Sequence, residues 1–89
     1  MARYEMAGAE LGSMAERQPS GESLFQLGIA YATGREVETN LIEAHKWFNL
    51  AAMRGSSEAV YYRQEIAREL PPAAVAEAQR SAREWLSTH

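Results

Sequence analysis

From Gly21 to the C-terminus the apolar residues recur three and four positions apart, and the chain nowhere alternates apolar with polar residues as a half-buried strand would. Prolines and glycines break this pattern at Pro19, Gly21, Gly34, Gly55 and Pro71-Pro72, and the pieces between the breaks predict five helices. The first covers about residues 3–17, with Tyr4, Ala7, Leu11, Met14 and Ala15 on one face. It is weakened by Gly8 and Gly12, each costing about 1 kcal/mol relative to alanine. The second, about 21–33, is closed by Gly34, a residue free to take the left-handed conformation that ends helices. Asn40 and Glu43 stand at capping-box spacing at the start of the third, about 41–54, which stops at Gly55. Ser56 caps a fourth, about 57–70, and Pro72 suits the first turn of a fifth, about 72–87, while barring the fourth from continuing. The expected fold is all-α, a single domain over residues 1–89.

The faces of these helices say how they pack. On the helix over 21–33, Leu24, Leu27, Gly28 and Tyr31 form one apolar stripe and Phe25, Ile29 and Ala32 another, leaving Ser23, Gln26 and Thr33 as a narrow polar strip. A helix apolar on two sides needs two neighbours, so this one is expected to be sandwiched. The helix over 72–87 has one apolar side, Val75, Ala78, Ala82, Trp85 and Leu86, opposite a charged one on which Arg80 and Glu84 are spaced for an i,i+4 pair. That is the pattern of an end cap. Ile42, Leu50 and Met53 give the helix over 41–54 a second apolar side, away from Ala44, Trp47, Phe48 and Ala51, expected to meet a following unit.

A shift of 36 residues lays "RGSSEAV" over "QPSGESL" and Trp47 over Leu11, so the chain reads as half a unit followed by two whole ones. Leu27-Gly28, Tyr31, Gly34, Val37, Asn40, Ala44, Trp47, Ala51-Ala52, Gly55 and Ala59 together resemble the Sel-one-like repeat, a relative of the tetratricopeptide repeat. The resemblance covers residues 20–55 as one full unit. Residues 56–88 are similar to a degenerate terminal repeat with the capping helix pair found in bacterial members, although Arg63-Gln64 stand where the first unit has Leu27-Gly28, and Ala67 where it has Tyr31. What the resemblance implies is a short right-handed α-α superhelix that serves as an adaptor or scaffold for other proteins, with no cofactor and no catalytic site. The residues fit that reading physically. Gly28, Ala44 and Ala51 are small where two helices must approach closely, and Tyr31, Trp47 and Phe48 fill the space between them.

Composition narrows the chemistry. Nine basic residues against twelve acidic ones give a net charge of −3, and the basic ones are scattered, with no cluster to follow a nucleic-acid backbone. The chain has no cysteine and no aspartate, so thiolate zinc sites, disulfides, cysteine nucleophiles and a Ser-His-Asp triad are all excluded. Glu5 and Glu10 interrupt the N-terminal stretch where a signal peptide needs apolar residues, and no run reaches membrane-spanning length; a cytoplasmic protein with no membrane partner is expected. Gly28 and Gly34 are not followed by the lysine and hydroxyl of a phosphate loop.

The functional expectation is therefore a non-catalytic protein-binding module, its partner another protein or peptide, with Gln26, Thr33, Tyr61 and Tyr62 as candidate partner-binding residues on a concave side. Phe25, Ile29 and Ala32 are candidates for self-association in a homodimer, because a stack this short wants completing. The alternatives are a structural homo-oligomer without a separate ligand and a small enzyme, the latter requiring a pocket that gathers titratable groups. Two residues stand apart. His45 is the internal histidine, read as a residue at the edge of the core, and Arg63 falls in the apolar face of Ala59, Ile66, Ala67 and Leu70. A charge placed there needs a partner, expected to be helix-end carbonyls or a glutamate, or else a carboxylate brought by a binding partner.

Overall fold

The computed structural model describes residues 19–89, and over them the chain forms four helices and no strand: α1 Gly21–Thr33, α2 Leu41–Met53, α3 Ser57–Glu69 and α4 Pro72–Thr88. These are the last four of the five expected helices. The helix expected over 3–17 lies outside the described residues.

Local chemistry sets each boundary. The Oγ of Ser20 accepts a hydrogen bond from the Ser23 amide at 3.0 Å, and the Oδ1 of Asn40 accepts one from the Glu43 amide at 3.0 Å. Ser56 does the same for Ala59, so three helices begin with one of their orphan amides satisfied by a side chain. The capping box at Asn40 is half formed. The Glu43 carboxylate does not return to the Asn40 amide but accepts from Nε1 of Trp47 one turn on, while the Asn40 amide donates to the Tyr31 carbonyl and closes the α1–α2 loop. Pro72 occupies the first turn of α4, where its missing amide removes nothing. Gly34 ends α1 at φ 79°, its amide donating to the Ala30 carbonyl.

Among the described residues packing is centred on α2, which lies against α1, α3 and α4, the three extensive helix pairs there. The second neighbour expected for residues 21–33 was the helix over 3–17, which lies outside the described residues. α1 buries Leu24, Phe25 and Gly28 toward α2 and leaves Leu27 41% exposed, because Leu27 lies about 100° around the helix from Gly28, away from the contact. The contact itself is close. A Cβ placed on Gly28 would lie 2.5 Å from the ring of Phe48, so the fully buried Phe48 sits directly on the glycine backbone. At the other end of the pair, a Cβ on Gly21 would lie 2.8 Å from the Arg54 carbonyl oxygen.

Ala44, Phe48, Leu50, Ala51, Ala59, Ile66 and Ala82 complete the core with Leu24 and Phe25. Of the second apolar side of α2, Leu50 joins this core and Ile42 is half-buried, but Met53 remains exposed. α4 packs through Ala78 and Ala82, with Val75, Trp85 and Leu86 half-buried beside them, on the face expected. The Trp85 ring meets Trp47 edge to face at 5.9 Å, and the Arg54 guanidinium lies over it at 5.6 Å. Arg80 and Glu84 make no ion pair; among the described residues the pair that closes is Arg68 with Glu65, at 3.1 Å.

Candidate functional site

The candidate residues do not gather in one place. Gln26 lies in an open groove with Ser23, Leu27, Ala30, Arg35 and Glu36, its amide donating to Glu22 at 2.9 Å and accepting from Arg35 at 3.5 Å. Thr33 is exposed and spends its hydroxyl on the Ile29 carbonyl of its own helix, at 2.8 Å. Neither tyrosine lines that groove.

Tyr61 and Tyr62 belong to a different feature, reached from the core. The Phe48 ring is tilted on Phe25 at 5.7 Å and stacked on Tyr62 at 5.5 Å, and Tyr62 takes the edge of Phe25 at 5.5 Å and of Tyr61 at 5.4 Å. Four rings thus run in contact from the fully buried Phe48 to Tyr62, 40% exposed, and Tyr61, 59% exposed. Ring pairs in these tilted and edge geometries contribute about 0.5–1.5 kcal/mol each beyond the area they bury. Their consequence is that the exposed rings are held in place by buried ones.

Phe25, a candidate for self-association, lies at the inner end of this ladder. It is buried against Phe48 and Tyr62, and Ile29 and Ala32 are partly buried against the same core. Of the residues assigned to the repeat, Gly28, Ala44 and Ala51 are buried, Tyr31 and Trp47 are half-buried, and Gly34 and Gly55 carry the positive φ of helix ends. Leu27, as noted above, is exposed.

His45 is more deeply placed than its sequence position implies, at 3% exposed, and its Nδ1 is buried with no hydrogen-bond partner among the described residues. An unpaired buried polar atom of this kind costs about 1–3 kcal/mol. Burial, and secondarily the charge of Arg63, hold the imidazole pKa below its ordinary value, so the ring is neutral near neutral pH. Arg63 itself is half-buried and donates from Nη1 to Oδ1 of Asn49 at 2.8 Å. Among the described residues its partner is therefore a side-chain amide of the neighbouring helix rather than a glutamate or a helix-end carbonyl. Sequence reasoning missed this pairing. The available signal was that Asn49 follows His45 by one turn on the side of α2 that faces α3.

Among the described residues no group of three or more histidine, aspartate and glutamate side chains is placed to hold a metal ion, and no helix is long and apolar enough to cross a membrane. A second depression, between the start of α1 and the start of α3, is lined by Glu22, Arg54, Ser57 and Glu58 among others. The Arg54 guanidinium is engaged there, donating to the Pro19 carbonyl at 2.7 Å. Compared with protein-family models, with curated proteins and with solved structures, the chain gives no match.

Proposed function

We propose that the chain is a protein-binding module of the Sel-one-like kind, a short right-handed superhelix of helix pairs that acts as a cytoplasmic adaptor and carries out no chemistry of its own. The observation that carries this reading is the aromatic ladder. Binding through a tyrosine is strongest where the ring is already immobilised, because the side-chain entropy lost on association is then small. Tyr62 meets that condition through its contacts with Phe25 and Phe48, and Tyr61 extends the same surface outward. The α1–α2 pair supports the repeat assignment, since Gly28 admits Phe48 as the close approach of paired repeat helices requires.

The partner is a protein or peptide that offers an apolar group to the two rings and hydrogen-bond acceptors to their hydroxyls. A photo-crosslinking residue placed at Tyr61 should capture a discrete partner from the native cell, and one placed at exposed Glu84 on α4 should not. Tyr61→Ala and Tyr62→Ala should both weaken the captured complex. Equal capture at the two positions, or binding indifferent to both alanines, would sink the proposed surface.

A further inference from the structure

The core of this molecule contains one ionisable ring that the interaction surface does not use. His45 is on α2, buried, with Nδ1 unpaired, and α3 brings to it the half-buried guanidinium of Arg63, fixed by Asn49 one turn along α2. We propose that His45 is a proton-operated release for α3: a neutral ring is tolerated in the core, and a protonated one drives α3 away from α2. An imidazolium here would carry a second hydrogen-bond donor into a site whose one atom is already unsatisfied, next to a cation that cannot be deprotonated.

Nothing packed against the ring offers it a counter-charge among the described residues. On α3 the charge that acts on His45 is Arg63, and Glu65 is turned to Arg68. On α2 itself Glu43 accepts from Trp47, and Lys46 lies over the Trp47 ring at 4.5 Å. Glu22 on α1 and Arg35 in the loop that follows it are both bonded to Gln26. The charged side chains of α4, Glu77, Arg80, Arg83 and Glu84, are exposed.

The direction follows from linkage. The folded-state pKa of His45 lies below the unfolded value of 6.5, so the unfolded or released form takes up the proton first. Stability is complete above pH 6.5 and is lost as pH falls below it, by up to about tenfold in the opening equilibrium per pH unit until the folded pKa is reached. α3 is the element released because it carries both Arg63 and Tyr62, and its extensive packing is with α2 alone. Mild acid would therefore also dismantle the aromatic ladder, which ties the proposal to the reading of Tyr61 and Tyr62 as the binding surface. The measurement below does not depend on binding.

Hydrogen exchange of the α3 amides, corrected for intrinsic rate, should be followed from pH 7.5 to 5.0 in the full chain carrying His89→Gln, so that one imidazole remains. Protection of α3 should fall by up to about fivefold between pH 6.5 and 5.5. His45→Leu should flatten the profile, and Arg63→Leu should retain most of it, because burial outweighs the Arg63 charge in holding the ring neutral. If His45→Leu does not fold, the imidazole proton resonances of the parent chain decide the matter. An unshifted titration midpoint, α3 protection independent of pH, or an unchanged slope in His45→Leu would each overturn the proposal. Loss of α3 protection in acid with partner binding unaffected would leave the release intact and defeat the binding surface.

Discussion

The α1–α2 pair and the α3–α4 pair occupy equivalent places in the 36-residue register of the sequence, yet they pack in opposite ways. α1 and α2 close on each other along their length. α3 and α4 follow one another in the chain, but each packs chiefly on α2 rather than on the other. The register supplies the reason. Gly28 of α1 corresponds to Gln64 of α3, and Phe48 of α2 corresponds to Glu84 of α4, so the glycine-and-ring contact that closes the first pair is replaced by two exposed polar residues in the second. Ala44 and Ala51, both fully buried, correspond to Arg80 and Ser87, which are exposed. A helix pair is thus closed by small residues opposite a large ring, and a chain can keep its helices while losing that contact.

The largest expected effect strikes the contact directly. Phe48→Ala removes a fully buried ring that touches Gly28, Phe25 and Tyr62, and should destabilise by about 3–5 kcal/mol in urea unfolding. The corresponding Glu84→Ala should change stability by no more than about 0.5 kcal/mol. Equal effects would mean that the two pairs are packed alike.

Next in size is overpacking. Gly28→Leu forces a side chain into the place of the Phe48 ring and should cost about 1–3 kcal/mol, against a gain in helix propensity that is smaller. Gln64→Leu, on the exposed face of α3, should be within about 0.5 kcal/mol of the parent. An indifferent Gly28→Leu would mean that α1 is free to move off α2. Smaller again is the cap of α2: Asn40→Ala leaves the Glu43 amide without its acceptor and should cost about 1 kcal/mol, read from the thermal midpoint.

These contrasts also mark what the sequence makes legible. Capping residues act within a few positions of themselves, so Asn40, Ser56 and Pro72 disclosed three helix starts before any packing was known. Gly28 disclosed a close approach because no other common reason puts glycine in mid-helix. The identity of the central helix was not legible. Counting apolar stripes gave residues 21–33 two neighbours, but which of the described helices is central depends on where α4 returns, and that is decided by Ala78 and Ala82, whose small size becomes informative only once a partner surface is known. The candidate site was legible in part. Tyr61 and Tyr62 were chosen for their residue type, whereas their anchoring to Phe25 and Phe48 joins residues more than thirty positions apart in the first case and more than ten in the second. The contacts of Phe25 were hidden for the same reason: its stripe was plain, and the ring of Tyr62 that meets it was not.

The smallest expected effect lies at the position where the two pairs differ by a charge. Arg63 corresponds to Leu27, and its guanidinium is engaged by the single amide oxygen of Asn49. Arg63→Leu removes a half-buried cation and keeps an aliphatic stem, leaving Asn49 half-buried and accessible to water, so the lost hydrogen bond is replaced in part by solvent. It also removes the one charge that raises the energy of a protonated His45. The net should be a gain of less than about 1 kcal/mol at pH 7.5, where the ring is neutral in both proteins. Below pH 6.5 the gain should grow, because the folded-state pKa of His45 moves up toward its unfolded value once the guanidinium is gone. Urea midpoints at pH 7.5 and 5.5 separate the two contributions. A destabilisation at both values would make the Arg63–Asn49 bond the main attachment of α3 to α2, and the second pair would then be held by a polar clasp where the first is held by a glycine and a ring.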